Sequence, residues 1–156
     1  MVGSLIQLAG AEVVEGVYGC FPTVMWGEDV PAMAKMTEYV QKNHPADAGN
    51  PDYIAAWAQS LIIAEILKKA LEKVSYDVLA KGDKKAWEAV EKYGFQALSG
   101  YNVGGLQGSV SYSTGDNRLT KYNRVYQIVN GKIGNPSAWV EAPLVKYEDF
   151  DWFNKK

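Results

Sequence analysis

The chain has 156 residues, of which 47% are hydrophobic and 22% charged, so it is long enough for about one domain with its own core and is not globally disordered. Sixteen basic and 18 acidic residues leave a net charge of −2, which excludes the basic field of a general nucleic-acid binder. One cysteine, Cys20, and one histidine, His44, exclude an internal disulfide and a Cys/His zinc cluster, and no apolar run reaches the ~18 residues of a membrane span.

Residues 1–11 read as a helix end or loop, with Leu5, Ile6 and Leu8 apolar and Gly10 as a stop. Residues 12–21 read as a strand rich in β-branched and aromatic side chains, with Gly16 and Gly19 suggesting a bulge or a close backbone approach. Pro22 opens a loop over residues 22–30 that carries Met25 and Trp26. Pro31 suits the first position of a helix running to about Asn43, with Met33, Met36, Tyr39 and Val40 on one face and His44-Pro45 ending it.

Asn50 is placed to cap, and Pro51 to start, a long helix reaching about Val74. Ile63, Ile66, Leu67, Ala70, Leu71 and Val74 form one apolar stripe; Ile54, Trp57, Ala58, Leu61 and Ile62 add a second face to the first half. The first half is therefore expected to be buried nearly all round and the second half to be amphipathic, with Glu65 and Lys69 paired outside. Gly82-Asp83 introduces a helix over about 84–93, with Trp87 and Val90 inward and Gly94 as its stop. A glycine-rich connection over 99–108 leads to strands near 109–113, 122–130 and 137–141, and Asn130-Gly131 signals a hairpin. The tail carries Tyr147, Phe150, Trp152 and Phe153. One early strand, three helices and a small antiparallel set provide too little sheet for the two faces of the long helix. A fragment, or a chain completed by a partner, is the expected reading.

Few residues carry chemistry by themselves. Gly104-Gly105-Leu106-Gln107-Gly108 lacks the Lys-Ser/Thr end of a phosphate loop and precedes a strand, so a flexible turn is expected there. His44 sits at a helix end as a structural or exposed residue, and Cys20 reads as an inert buried thiol. Glu28-Asp29 and Glu148-Asp149-Asp151 read as solvated acids, and Arg118, Lys121 and Arg124 only faintly resemble a nucleic-acid strand. Tyr53 and Trp57 share one face at the head of the long helix, where free backbone N–H groups suit a carboxylate. Core packing is the plainer role for that pair.

The order of motifs resembles a known family. Glu15-Gly16-Val17-Tyr18, a Pro-containing loop, the 31–43 helix and then Tyr53-Ile54-Ala55-Ala56-Trp57 look like the type I periplasmic solute-binding proteins of branched-chain amino-acid ABC transporters. Gly104–Val110, Tyr112-Ser113, Gly115-Asp116-Asn117-Arg118 and the 125–132 segment are similar to that family's later turn, strand, Asp-His-Arg loop and last hairpin; Asn117 stands where the family often has His. The match runs over about residues 10–145 and resembles only the C-terminal part of such a receptor.

The resemblance implies an α/β fold: a C-terminal fragment, spanning the hinge, of a two-lobed Venus-flytrap protein. Residues 1–108 are then expected to complete one lobe, and residues 109–156 to return through the hinge to the other. It implies a binding protein rather than an enzyme, with no catalytic residue, no metal and no cofactor. A small amino acid or similar carboxylate is its expected ligand, bound between the lobes. An ABC permease in the membrane and the remainder of the receptor chain are its expected partners, with no nucleic acid. A periplasmic or extracytoplasmic location is expected, the signal peptide lying outside this chain. A ligand-sensing regulatory domain of the same fold is the alternative. Tyr53 is nearest to a family ligand-contact position, Trp57 adjoins it, and Phe21 and Trp26 are placed to reach the rim of the cleft.

Overall fold

The computed structural model describes Ile6 and residues 8–146. The aromatic tail residues Tyr147, Phe150, Trp152 and Phe153, and the acids Glu148, Asp149 and Asp151, lie outside the described residues, as does Leu5. The main elements are helix α1 (Ala11–Val14), strand β1 (Tyr18–Phe21), helices α2 (Met33–Asn43), α3 (Pro51–Leu71), α4 (Tyr76–Leu79) and α5 (Lys84–Ala89), and strands β2 (Tyr122–Val129), β3 (Lys132–Gly134) and β4 (Val140–Glu141).

All strand pairs are antiparallel and all involve β2. β1 lies on one edge with Tyr18 opposite Gln127, and β3 on the other with Val129 opposite Lys132. β4 pairs with the first residues of β2. The β2–β3 turn is the Asn130-Gly131 hairpin that the sequence predicts, and both residues take positive φ, 52° and 67°. The Glu15 carboxylate accepts from the Asn130 and Gly131 amides, at 2.9 and 3.1 Å, and so fixes the turn.

The expected strand over 12–21 is half helix. Residues 11–14 coil into α1, and Gly16, at φ 81°, turns the chain into a four-residue strand. Residues 109–113 contribute only isolated bridges, Val110 to Tyr101 and Ser113 to Asp116, in place of the expected strand. Cys20 is exposed, contrary to the buried thiol expected, because the β1 face that carries it is open to solvent.

α3 has 21 residues and is roughly 32 Å long. Its cap is the one the sequence predicts: the Asn50 side chain accepts from the Asp52 amide at 3.0 Å. The buried residues are Ile54, Ala58, Ile62, Ile66 and Ala70, a single ridge at steps of four. The ridge takes Ile54, Ala58 and Ile62 from one expected face and Ile66 and Ala70 from the other. Ala56, Gln59 and Ser60 are exposed, so the first half is not buried all round. On the other expected face Ile63, Leu67 and Leu71 are each more than 40% exposed. No described strand packs on that face, so the helix has two apolar faces and one described partner layer. Glu65 and Lys69 pair as expected, at 3.5 Å, and Lys68 reaches the same carboxylate.

The Asp83 side chain caps α5 by accepting from the Ala86 amide. α5 then loosens into a π turn, Val90–Gly94, which packs on α3. Ala86, Ala89 and Val90 form the inward face, and Trp87, expected inward, is displaced from it and is 67% exposed.

Two clusters make up the core. One joins Val24, Met33, Met36, Val40, Ile54, Ala58 and Leu106 under the first half of α3. The other joins Ile62, Ile66, Ala70, Val90, Leu98, Val103 and Val110 under its second half. The glycine turn belongs to the first cluster and is close-packed rather than flexible. A Cβ on Gly104, at φ 66°, would lie 2.5 Å from the Ala32 Cβ, and the Ala32 amide donates to the Gly104 carbonyl at 3.0 Å. Only glycine lets this turn sit against the start of α2.

Candidate functional site

The head of α3 gathers aromatic rings from three segments. Tyr53 and Trp57 lie one helical turn apart on α3. α2 ends beside them, bringing the Tyr39 ring 5.4 Å from Trp57 and the His44 ring 6.2 Å from Tyr53. Tyr39 and His44 are themselves 5.9 Å apart. Trp26 arrives from the loop after β1, and its indole N–H donates to the Asn50 carbonyl at 2.6 Å. The residue that caps α3 therefore also anchors Trp26.

Trp26, Tyr53 and Trp57 all pack on the first core cluster yet remain partly exposed. They form a wall rather than a filled interior, apolar in its bulk and edged by a phenol and an imidazole. Partial burial, then the neighbouring Tyr39 and Asp47, push the Tyr53 phenol up from its ordinary value. Such a surface suits a small ligand with an apolar body and a polar end.

Three of the four residues expected from sequence thus come together. Phe21 does not join them. It ends β1 and meets Tyr126 edge-on, with ring centroids 5.8 Å apart at 79°. Together they help line a separate cavity of about 200 Å³ with Val14, Val17, Ile128 and Ile133. Its walls are almost wholly apolar and hold no charged side chain, so it offers nothing to orient the charged ends of an amino acid.

A polar cluster beside the wall escapes the sequence reading. The Glu28 carboxylate accepts from the Met25 amide at 2.7 Å, from the Tyr126 hydroxyl at 2.6 Å and from the Arg124 guanidinium at 2.6 Å. Arg124 also donates to the Ser137 carbonyl at 2.8 Å and lies over the rings of Tyr126 and Trp139. Burial and the adjacent Glu28 carboxylate push the Tyr126 phenol well up. Glu28 looks like half of a solvated acid pair because its partners are 96 and 98 residues away in the chain. The aromatic residues alternating with Arg124 along β2 are the one local signal of a sheltered cation.

The neighbouring basic residues are also matched within the chain. Arg118 pairs with Asp116 at 2.8 Å, and Lys121 with Glu141 at 2.8 Å. Arg118 further donates to the Ala142 and Pro143 carbonyls, tying down the segment after β4. Its guanidinium, hydrogen-bonded to Asp116, lowers that carboxyl to about 2. Among the described residues no group of three His, Cys, Asp or Glu side chains is placed to hold a metal, and no helix is long and apolar enough to cross a membrane.

No protein-family model matches the chain, and no curated protein matches it. A solved structure does. A branched chain amino acid ABC transporter from Thermus thermophilus with bound valine is similar over 93% of this chain, with a TM-score of 0.66 and 17% sequence identity. The likeness establishes the fold: the mixed helix and sheet arrangement here is similar to part of that protein. The chain spans 37% of that protein's length.

Proposed function

We propose that the chain works in solute uptake, as part of the extracytoplasmic binding component of an ABC importer. The single observation that carries this reading is the fold, shared over 93% of the chain with a transporter component that holds valine. Its ligand is a small amino acid or similar carboxylate. Trp26, Tyr53 and Trp57 wall the ligand, and the Tyr53 hydroxyl donates to it. Phe21 lies with the apolar cavity and contributes to the rim rather than the wall. Residues 1–108 complete one lobe, residues 109–156 return towards the other, and the cleft closes between them by hinge motion. The permease and the remainder of a receptor are the macromolecular partners. No step of this reading needs a catalytic group.

The test is calorimetric titration of the chain, joined to the remainder of its receptor, with L-valine, L-leucine and succinate, repeated with Trp57→Ala. Saturable binding of at least one solute is expected from the wild type. The substitution removes a large apolar contact, which at a binding centre costs roughly 2–4 kcal/mol, or about 30- to 1000-fold in affinity. If none of the solutes gives saturable heat with the wild type, the reading fails. Unchanged affinity together with a lowered melt would return Trp57 to the core.

A further inference from the structure

The geometry points to Glu28 as a positioning residue, whose carboxylate holds the Trp26 loop against β2 and so sets the aromatic wall at the head of α3. The inference rests on the binding role proposed above only for what the wall does; the placement of the wall is separate.

The loop bearing Trp26 is anchored at its ends, where the Val24 amide donates to the Leu106 carbonyl and Val30 packs on the first core cluster, but the turn between them is held by few backbone bonds. Residues 25–28 form a turn with Gly27 at φ 86°, and the Glu28 amide donates to the Met25 carbonyl at a long 3.3 Å. The Glu28 side chain closes the same turn from the other side by accepting from the Met25 amide at 2.7 Å. It then fastens the closed turn to the sheet through Tyr126 and Arg124 of β2. Tyr126 is only 2% exposed, and the Glu28 and Arg124 side chains are about one-fifth exposed, so these are sheltered, charge-assisted bonds.

Arg124 is itself pinned. It lies over Tyr126 and Trp139 and donates to the Ser137 carbonyl, so it presents one fixed edge to Glu28. Trp26 sits inside the turn that Glu28 closes, and its indole reaches the Asn50 carbonyl. One path of bonds therefore runs from Arg124 through Glu28 and Trp26 to the cap of α3, one turn before Tyr53 and two before Trp57. Loss of the carboxylate charge leaves Arg124 unmatched and the Trp26 turn free to swing. α3 keeps its own cap and its buried ridge.

Hydrogen–deuterium exchange followed by NMR tests this without any ligand. In the wild-type chain the Trp26 indole N–H should exchange slowly. In Glu28→Gln it should exchange at least about tenfold faster, while the α3 backbone amides keep their wild-type rates. Glu28→Ala should show the same pattern more strongly. Unchanged indole protection in both variants would overturn the inference. So would loss of indole and α3 protection together, because Glu28 would then hold the fold rather than the wall. A second readout is titration with L-valine, in which Glu28→Gln should weaken binding by about tenfold with little change in the melt. Wild-type affinity in that variant, despite faster indole exchange, would overturn the link between Glu28 and the wall. If the wild type does not bind valine, leucine or succinate, the uptake reading falls while the exchange result still decides Glu28.

Discussion

Replacement of Gly94 by alanine gives a measurable account of how closely α3 is held. Gly94 closes the π turn that packs on α3, and an added Cβ would stand 2.7 Å from both the Cγ2 and the carbonyl oxygen of Ile66. Ordinary contact begins near 3.4 Å, so something must move by more than half an ångström. Ile66 is 3% exposed and wedged into the second core cluster, and its carbonyl is part of the α3 hydrogen-bond ladder. The backbone of Gly94, at φ −95° and ψ −73°, is open to alanine, so the cost is steric. Overpacking of this kind costs about 1–3 kcal/mol. Lower unfolded-state entropy returns about 0.4–1 kcal/mol. The net expectation is a loss of about 1–2 kcal/mol. Gly115 is the control: nothing lies within 4 Å of its Cβ position and its φ is not left-handed, so Gly115→Ala should be neutral or slightly stabilising. Urea unfolding of both variants at unchanged m reads the difference. A Gly94→Ala chain as stable as the wild type would refute the close approach of the π turn to α3.

Acid should act on the Asp116–Arg118 clasp. Asp116 titrates at about 2 in the folded chain against its ordinary 3.8, so its contribution is present above pH 4 and fades as pH falls from there towards 2. Asp116→Asn should flatten the fall in stability over that window, and equal slopes in the two proteins would refute it. Ile62→Ala should cost about 2–5 kcal/mol in a urea melt, because Ile62 is fully buried in the ridge that α3 turns inward; a loss below 1 kcal/mol would mean that the other face is the buried one. The exposed Ile63–Leu67–Leu71 face should bind an anilinonaphthalene dye, and Leu67→Glu should reduce that fluorescence; equal dye binding would place the apolar surface elsewhere.

The sequence made legible those elements whose signals are local. Asn50 and Asp83 cap helices because a short acceptor side chain meets an amide two or three residues on. Asn130-Gly131 makes its hairpin because both residues tolerate positive φ. Features set by distant residues were not legible in the same way. Apolar spacing alone allows α3 two faces, and only its packing on the π turn and on Val103, Leu106 and Val110 selects the ridge through Ile62. Trp87 faces outward because α5 turns Ala86, Ala89 and Val90 to the core, a face that small alanines mark only weakly in the sequence. Residues 12–15 combine β-branched and helix-favouring side chains, so their helical state is decided by context, including the Gly16 amide bonded to the Ile128 carbonyl.

The candidate site divides along the same line. Tyr53 and Trp57 are legible because one helical turn separates them, and Trp26 because a loop exposes a large apolar ring only where something receives it. Phe21 stands apart from these three because it ends β1, where its ring meets Tyr126 edge-on. Glu28 carries no local sign at all: an acid in a loop beside Asp29 is indistinguishable from a solvated one. Its role depends on β2, nearly a hundred residues later, placing Arg124 and Tyr126 on the same side of the sheet. β-strand alternation brings those two side chains to one face, and the β1–β2 register sets Arg124 opposite Phe21, at the start of the loop that leads to Glu28. The candidate ligand residues are thus readable from helix geometry, whereas the residue proposed to aim them depends on strand pairing.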